Sequence, residues 1–216
     1  GLTEAESFQL KALYSVAIVV FEIPSGYVAD VLGRKMTLVI GSILGTLGFL
    51  IYSVTGGYTG FLIAEVVLGI GQSFISGADS ALLYDTLNYH GRPQDYMKYE
   101  GRHYTVGNFS EALAGVIGGA IAMFSLHLPF VLQTVIAFTA VPAALTLFEP
   151  PDALKRVQPG LRDIFRVIRY AAITNRQLRY NLLISCILGT ATLTMAWTYQ
   201  LYLKDVGFEN YAIGMV

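Results

Sequence analysis

Charge is what this sequence has least of. Only 13% of its 216 residues are Asp, Glu, Lys or Arg, about half the share a soluble domain carries. A soluble fold of this length could bury a good core, but it would still need polar groups to cover its surface. This chain has too few. Cysteine is nearly absent as well: Cys186 stands alone, which excludes an internal disulfide. His90, His103 and His127 have no ligand spacing, so no metal site is expected. No tract of Lys and Arg alternates with aromatics, and a net charge of −1 adds no pull towards nucleic acid. The G-x-x-x-x-G-K-[ST] pattern of a nucleotide-driven pump does not occur. Nor does an enzyme's constellation: Asp79 and Asp85 stand at i and i+6 of one apolar stretch, so they do not share a helix face. No catalytic residue and no cofactor are expected.

Apolar residues take up the space that charge leaves. They make up 54% of the chain, and the mean hydropathy is +0.55. They gather into six runs, at residues 8–28, 36–54, 61–83, 106–126, 130–148 and 182–203. Each reaches or approaches the roughly 20 residues that carry a helix across about 30 Å of hydrocarbon. Inside lipid the backbone must satisfy its own hydrogen bonds, so runs of this kind are helical. One such run would suit the core of a soluble protein; six would not. The fold class expected is all-α, a polytopic transmembrane helical bundle. The 22 glycines read as surfaces for close helix packing, with Gly41 and Gly45 a small-xxx-small pair and Gly69, Gly115, Gly118 and Gly119 further smooth positions.

The few cations are unevenly placed. Loops after the first, third and fifth runs hold Arg34 and Lys35, then Arg92, Lys98 and Arg102, then seven basic residues from Lys155 to Arg179. The other side has Lys11 and Lys204. By the positive-inside rule the richer loops face the cytoplasm. A polar start leads straight into a span, and an apolar run resumes at the end. Both give the expectation of further helices on either side. The segment 151–179 is the one long loop, opened by Pro150, Pro151 and Pro159. In it Leu161, Ile164, Phe165 and Ile168 fall at i, i+3, i+4 and i+7 with Arg162, Arg166 and Arg169 between them. That spacing predicts an amphipathic basic helix lying on an anionic leaflet, with a partner-binding helix as the other reading. It divides the chain into a bundle at 1–150, a connector at 151–179 and the start of a second bundle at 180–216.

The turn after the first run reads Gly26-Tyr-Val-Ala-Asp30-Val-Leu-Gly33-Arg34-Lys35. It resembles the signature loop of the major facilitator superfamily, G-x-x-x-D-x-x-G-R-K, and all five defining positions match. Phe21-Glu22-Ile23-Pro24-Ser25 before it is also familiar in that family. The resemblance extends over the whole chain and implies family helices two to seven, with 151–179 joining two six-helix halves. It implies alternating access about a central site between two bundles. It further implies that Asp30 caps the positive end of a helix from the other half, and that an acid at the inner end of helix four, here Asp85, pairs with Arg34. Arg102 is the expected partner of Asp79. Arg34 and Lys35 are placed at headgroup level, with Gly33 allowing the tight turn.

Acids inside apolar runs cost at least about 2.5–3.5 kcal/mol each, so each needs a cavity or a partner. Glu22, Glu65 and Glu111 are such acids. Glu65 and Glu111 read either as proton-accepting or cation-attracting carboxylates or as groups satisfied by neighbouring helices. Glu22, beside Pro24, has both readings too. The sequence departs from the family at Glu65, where many proton-coupled members carry arginine. The run Ala114-Gly115-Val116-Ile117-Gly118-Gly119 matches the antiporter motif in part, without its proline. In the last run, Trp197, Tyr199 and Gln200 could line a cavity and stack on an organic cation, and Tyr202 suits an interfacial belt.

The expectation is therefore a monomeric secondary transporter of a bacterial cytoplasmic membrane. It moves a small molecule, coupled to protons, and exports amphipathic or cationic compounds. The alternatives are a proton-coupled uptake carrier for a nutrient or metabolite, or a non-transporting receptor or assembly protein on the same scaffold.

Overall fold

The computed structural model describes residues 2–125, 127–151, 166 and 169–207. All of its regular structure is helical. The first helix, α1 (Glu4–Leu32), opens with a capping box in which Thr3 accepts the Glu6 N–H and the Glu6 carboxylate accepts the Thr3 N–H. It ends at Gly33, whose φ of 95° belongs to glycine, and the same residue starts α2 (Arg34–Val54). Gly57, also at positive φ, starts α3 (Tyr58–Ser76) after a short turn. Then come α4 (Asp79–Tyr89), a 3₁₀ turn (Pro93–Asp95), α5 (Tyr96–Ala122) and α6 (Leu128–Thr146). A π-helical turn (Tyr170–Thr174) precedes α7 (Arg176–Asp205).

Two departures from the expected spans have physical causes. The run at 61–83 is divided into α3 and α4, interrupted at Gly77 and Ala78. A Ser76-Gly77 pair weakens the ladder there, and the Asp79 carboxylate draws off the Ser80 N–H at 2.6 Å. Taken together, Tyr58–Tyr89 is still apolar enough to cross a membrane. Among the described residues five segments meet that standard of length and composition, not six: of the run at 106–126, residues 106–122 belong to α5, where Asn108, Ser110 and Glu111 dilute its apolar character. The expected amphipathic helix at 161–169 lies outside the described residues except for Arg166 and Arg169.

Packing is inside-out relative to a water-soluble protein. Large apolar side chains such as Val19, Val54, Phe109 and Phe138 are exposed. The largest fully buried side chains are Glu65, Thr37 and Ser73. Lipid is as apolar as leucine, so burying leucine gains little, while polar groups must turn inward to find partners. The helix α2 lies against both α3 and α6, and α1 runs along α3. Leu38, Val39, Ala78, Leu82 and Ala144 form the apolar core where α2, α4 and α6 meet. Among the described residues α7 packs only on the turn that precedes it.

Glycine sets how closely the helices approach. A Cβ on Gly69 would lie 2.6 Å from the Tyr14 carbonyl of α1, and one on Gly71 would lie 3.0 Å from the Gly45 nitrogen of α2. Each seam thus brings backbone against backbone. Ser25 fastens the α1–α3 seam by donating to the Ser73 carbonyl at 2.8 Å. Gly45, by contrast, has open space where its Cβ would stand. Gly69→Val is expected to lower stability by about 1–3 kcal/mol through overpacking, while Gly45→Ala is close to neutral. Unfolding midpoints of the two variants in detergent check this, and equal midpoints would count against a tight α1–α3 seam.

Candidate functional site

The turn between α1 and α2 is held from three directions. Arg34 turns inward from it, donating to the Ala81 carbonyl at 2.6 Å and to the Asp85 carboxylate, which is buried. Glu149, in the extended segment after α6, accepts the N–H groups of Arg34 at 2.6 Å and Lys35 at 3.4 Å. It thereby takes up free donors at the start of α2, where a negative charge also opposes the positive helix end. Gly33 is required twice over. Its φ suits glycine, and a Cβ there would lie 2.7 Å from both Glu149 oxygens. Thr37 closes the turn by donating to the Gly33 carbonyl at 2.8 Å. Three positions far apart in the chain, 34, 85 and 149, become one site.

The remaining residues of this loop differ in surroundings. Gly26 has open space beside it. Asp30 is exposed in the last turn of α1. A carboxylate at that end faces the negative pole of its own helix, an unfavourable placement worth about 0.3–1 kcal/mol. Arg34 finds in Asp85 and the Ala81 carbonyl partners that water or lipid would otherwise supply.

The expected pair of Asp79 with Arg102 does not form. Asp79 accepts the N–H of its neighbour Ser80 in the first turn of α4, and Arg102 lies over the Tyr99 ring at 5.6 Å, with Arg92 over the same ring at 5.8 Å. The acid of α5 that does reach α4 is Glu100, which accepts from the Ser80 hydroxyl at 2.6 Å.

The other acids divide by environment. Glu22 is exposed on α1, and its carboxylate accepts from the Ser76 hydroxyl at 3.2 Å. Glu111 is exposed on α5, a helix with no buried residue. Glu65 is the opposite case: it is 2% exposed. One of its oxygens, Oε1, accepts from both the Lys11 ammonium of α1 at 2.6 Å and the Tyr52 hydroxyl of α2 at 2.8 Å. This cluster floors a cleft of about 580 Å³ among α1, α2, α3 and α6. Tyr199 is half-buried on α7; Trp197 and Gln200 belong to the same helix, but their side chains lie outside the described residues.

Sequence reasoning missed Lys11, Tyr52 and Glu149. One of them left a signal. Lys11 stands about two turns inside an apolar helix, where a cation needs a partner. Tyr52 and Glu149 left none: Tyr52 lies two residues before the end of α2 and Glu65 seven after the start of α3, so spacing does not pair them, and the role of Glu149 depends on where α6 ends in space.

Comparison with known proteins adds a family and several relatives. The sequence profile of the Major Facilitator Superfamily matches residues 2–216. An uncharacterized transporter of Buchnera aphidicola is 34% identical over 80 residues, 37% of this chain and 20% of the relative. The glucuronide carrier protein homolog of Escherichia coli is 33% identical over 105 residues, 48% of this chain and 22% of the relative. The quinolone resistance protein NorA of Staphylococcus aureus is 22% identical over 166 residues, 74% of this chain and 42% of the relative. The chain thus spans between a fifth and about two fifths of the length of these curated relatives.

Removal of the arginine leaves Asp85 buried without its cation, whereas removal of Glu149 frees donors at a helix end. Arg34→Ala is therefore expected to cost about 3–5 kcal/mol and Glu149→Ala about 0.5–2 kcal/mol. Denaturant titration in detergent gives the order, and a larger loss for Glu149→Ala would contradict the weight given to the buried pair.

Proposed function

The chain belongs to the Major Facilitator Superfamily, and from that premise we propose a proton-coupled secondary transporter that exports amphipathic compounds by alternating access. As a family member it is a multi-pass membrane protein of a transporter family. Direction, coupling and cargo are the proposal.

The observation that carries the reading is the state of the signature turn. Arg34 and Glu149 tie α1, α2, α4 and the end of α6 into one rigid corner, yet Asp30 is left exposed at the wrong end of its own helix. A carboxylate so placed suits the positive end of a helix from a second bundle, as a contact made in one state and released in the other. In this reading the turn faces the cytoplasm of a bacterial cell, residues 1–150 form one bundle, 151–179 connect it along the inner leaflet, and 180–216 begin the second. The transporter acts as a monomer.

Glu111 is the coupling residue in this proposal. It is an exposed acid on a helix that buries nothing, a position from which a carboxylate can exchange protons with a central cavity. Export is favoured over uptake because the relative named for quinolone resistance matches the largest share of the chain among those described above. Of the two cargo classes the sequence suggests, amphipathic compounds fit better than cationic ones, since the half-exposed charge bordering the cleft is the Lys11 ammonium.

The test expresses the whole gene in cells lacking their main efflux systems and follows uptake of neutral and cationic lipophilic dyes, with and without a protonophore. Wild type is expected to lower accumulation of at least the neutral dye until the protonophore is added. Glu111→Gln is expected to slow export by about tenfold or more, as loss of a proton-transfer group does, and Asp30→Asn to slow it by removing the charge that meets the helix end of the second bundle. Accumulation equal to that of empty cells, with membrane insertion verified, would sink the export reading in favour of uptake or a non-transport role.

A further inference from the structure

The Lys11–Glu65 pair is asymmetric in a way that selects a ligand. Glu65 lies at the bottom, its side chain 3% exposed, with two donors already on one oxygen. Lys11 lies above it, its side chain 47% exposed and bordering the cleft. An ammonium has three N–H donors, and one of them reaches Glu65. The pair is neutral as a whole, but the end it presents to the cleft is positive.

The walls suit a flat apolar body. The Tyr52 ring stacks with Phe61 and with Phe130, the ring centroids 5.2 Å apart in each pair, and Phe49 also borders the space. Further lining polar groups are neutral, such as Ser42 and Gln72. A volume of about 580 Å³ falls within the range that encloses small organic ligands. A cation here would sit beside the ammonium, which repels it and already holds one Glu65 oxygen. An anion would complete the unused donors of Lys11 in surroundings of low dielectric, where such a contact is stronger than in water.

We propose that this cleft is a binding site for an amphipathic organic anion, whose acidic head sits on Lys11 and whose aromatic or apolar body lies against Phe49, Tyr52 and Phe130. Glu65 and Tyr52 are the positioning residues: they fix the ammonium and deny its place to cations. The inference rests on the transporter reading and names the cargo class.

The experiment uses the whole gene product, purified in detergent, and two probes that share a ring system and differ in the sign of the head: naphthoate and naphthylmethylammonium. Equilibrium binding is measured for wild type, Lys11→Arg, Lys11→Gln and Lys11→Gln/Glu65→Gln. Wild type is expected to bind naphthoate at least about tenfold more tightly than the cation. Lys11→Arg keeps that preference, and Lys11→Gln loses it. Should Lys11→Gln fail to fold with Glu65 left unpaired, the double variant removes both charges and is expected to fold without anion preference. Equal or tighter binding of the cation by wild type overturns the proposal. So does naphthoate affinity unchanged in a folded variant lacking Lys11. A cleft filled by other protein segments would give no naphthoate binding, and that outcome overturns it too. Protonophore-sensitive dye export that persists alongside any of these results leaves the transporter reading standing and removes the anion site alone.

Discussion

The hydrocarbon core of a membrane holds no water, and this structure is arranged around that lack. Every backbone donor must find its acceptor within the segment, so the long apolar runs among the described residues are helical. Polar side chains face the same demand, which is why Glu65, Thr37 and Ser73 are the most deeply buried large groups while valines and phenylalanines cover the outside. The α1–α3 and α2–α3 seams follow from it as well. With no hydrophobic gain available between helices in lipid, adhesion comes from close approach at Gly69 and Gly71 and from bonds such as Ser25 to Ser73.

The signature turn shows how the constraint becomes a device. Its arginine is held inward by a buried carboxylate and a backbone carbonyl, and its backbone N–H groups are capped by an acid from the far end of the described bundle. That leaves little freedom for the turn itself, while Asp30 at the end of α1 stays exposed.

The ion pair at the other end obeys the same electrostatics to a different result. Buried Glu65 is matched by the Lys11 ammonium from a neighbouring helix, which stays half-exposed at the border of the cleft.

Much of this was legible in the sequence. Helicity, membrane spans and the family turn follow from apolar run length and from five residues at fixed spacing, because backbone satisfaction in lipid is a local requirement. Asp85 and Arg34 could be linked through the family pattern. Glu149, by contrast, became part of the turn only through the place where α6 ends, whereas Arg102 lies over Tyr99 one turn back on its own helix. The sequence by itself determined that these helices form and that their acids need partners. Which partner each acid has was decided by tertiary structure, since the interactions that pair charges act across helices whose separation in space bears no fixed relation to their separation in the chain.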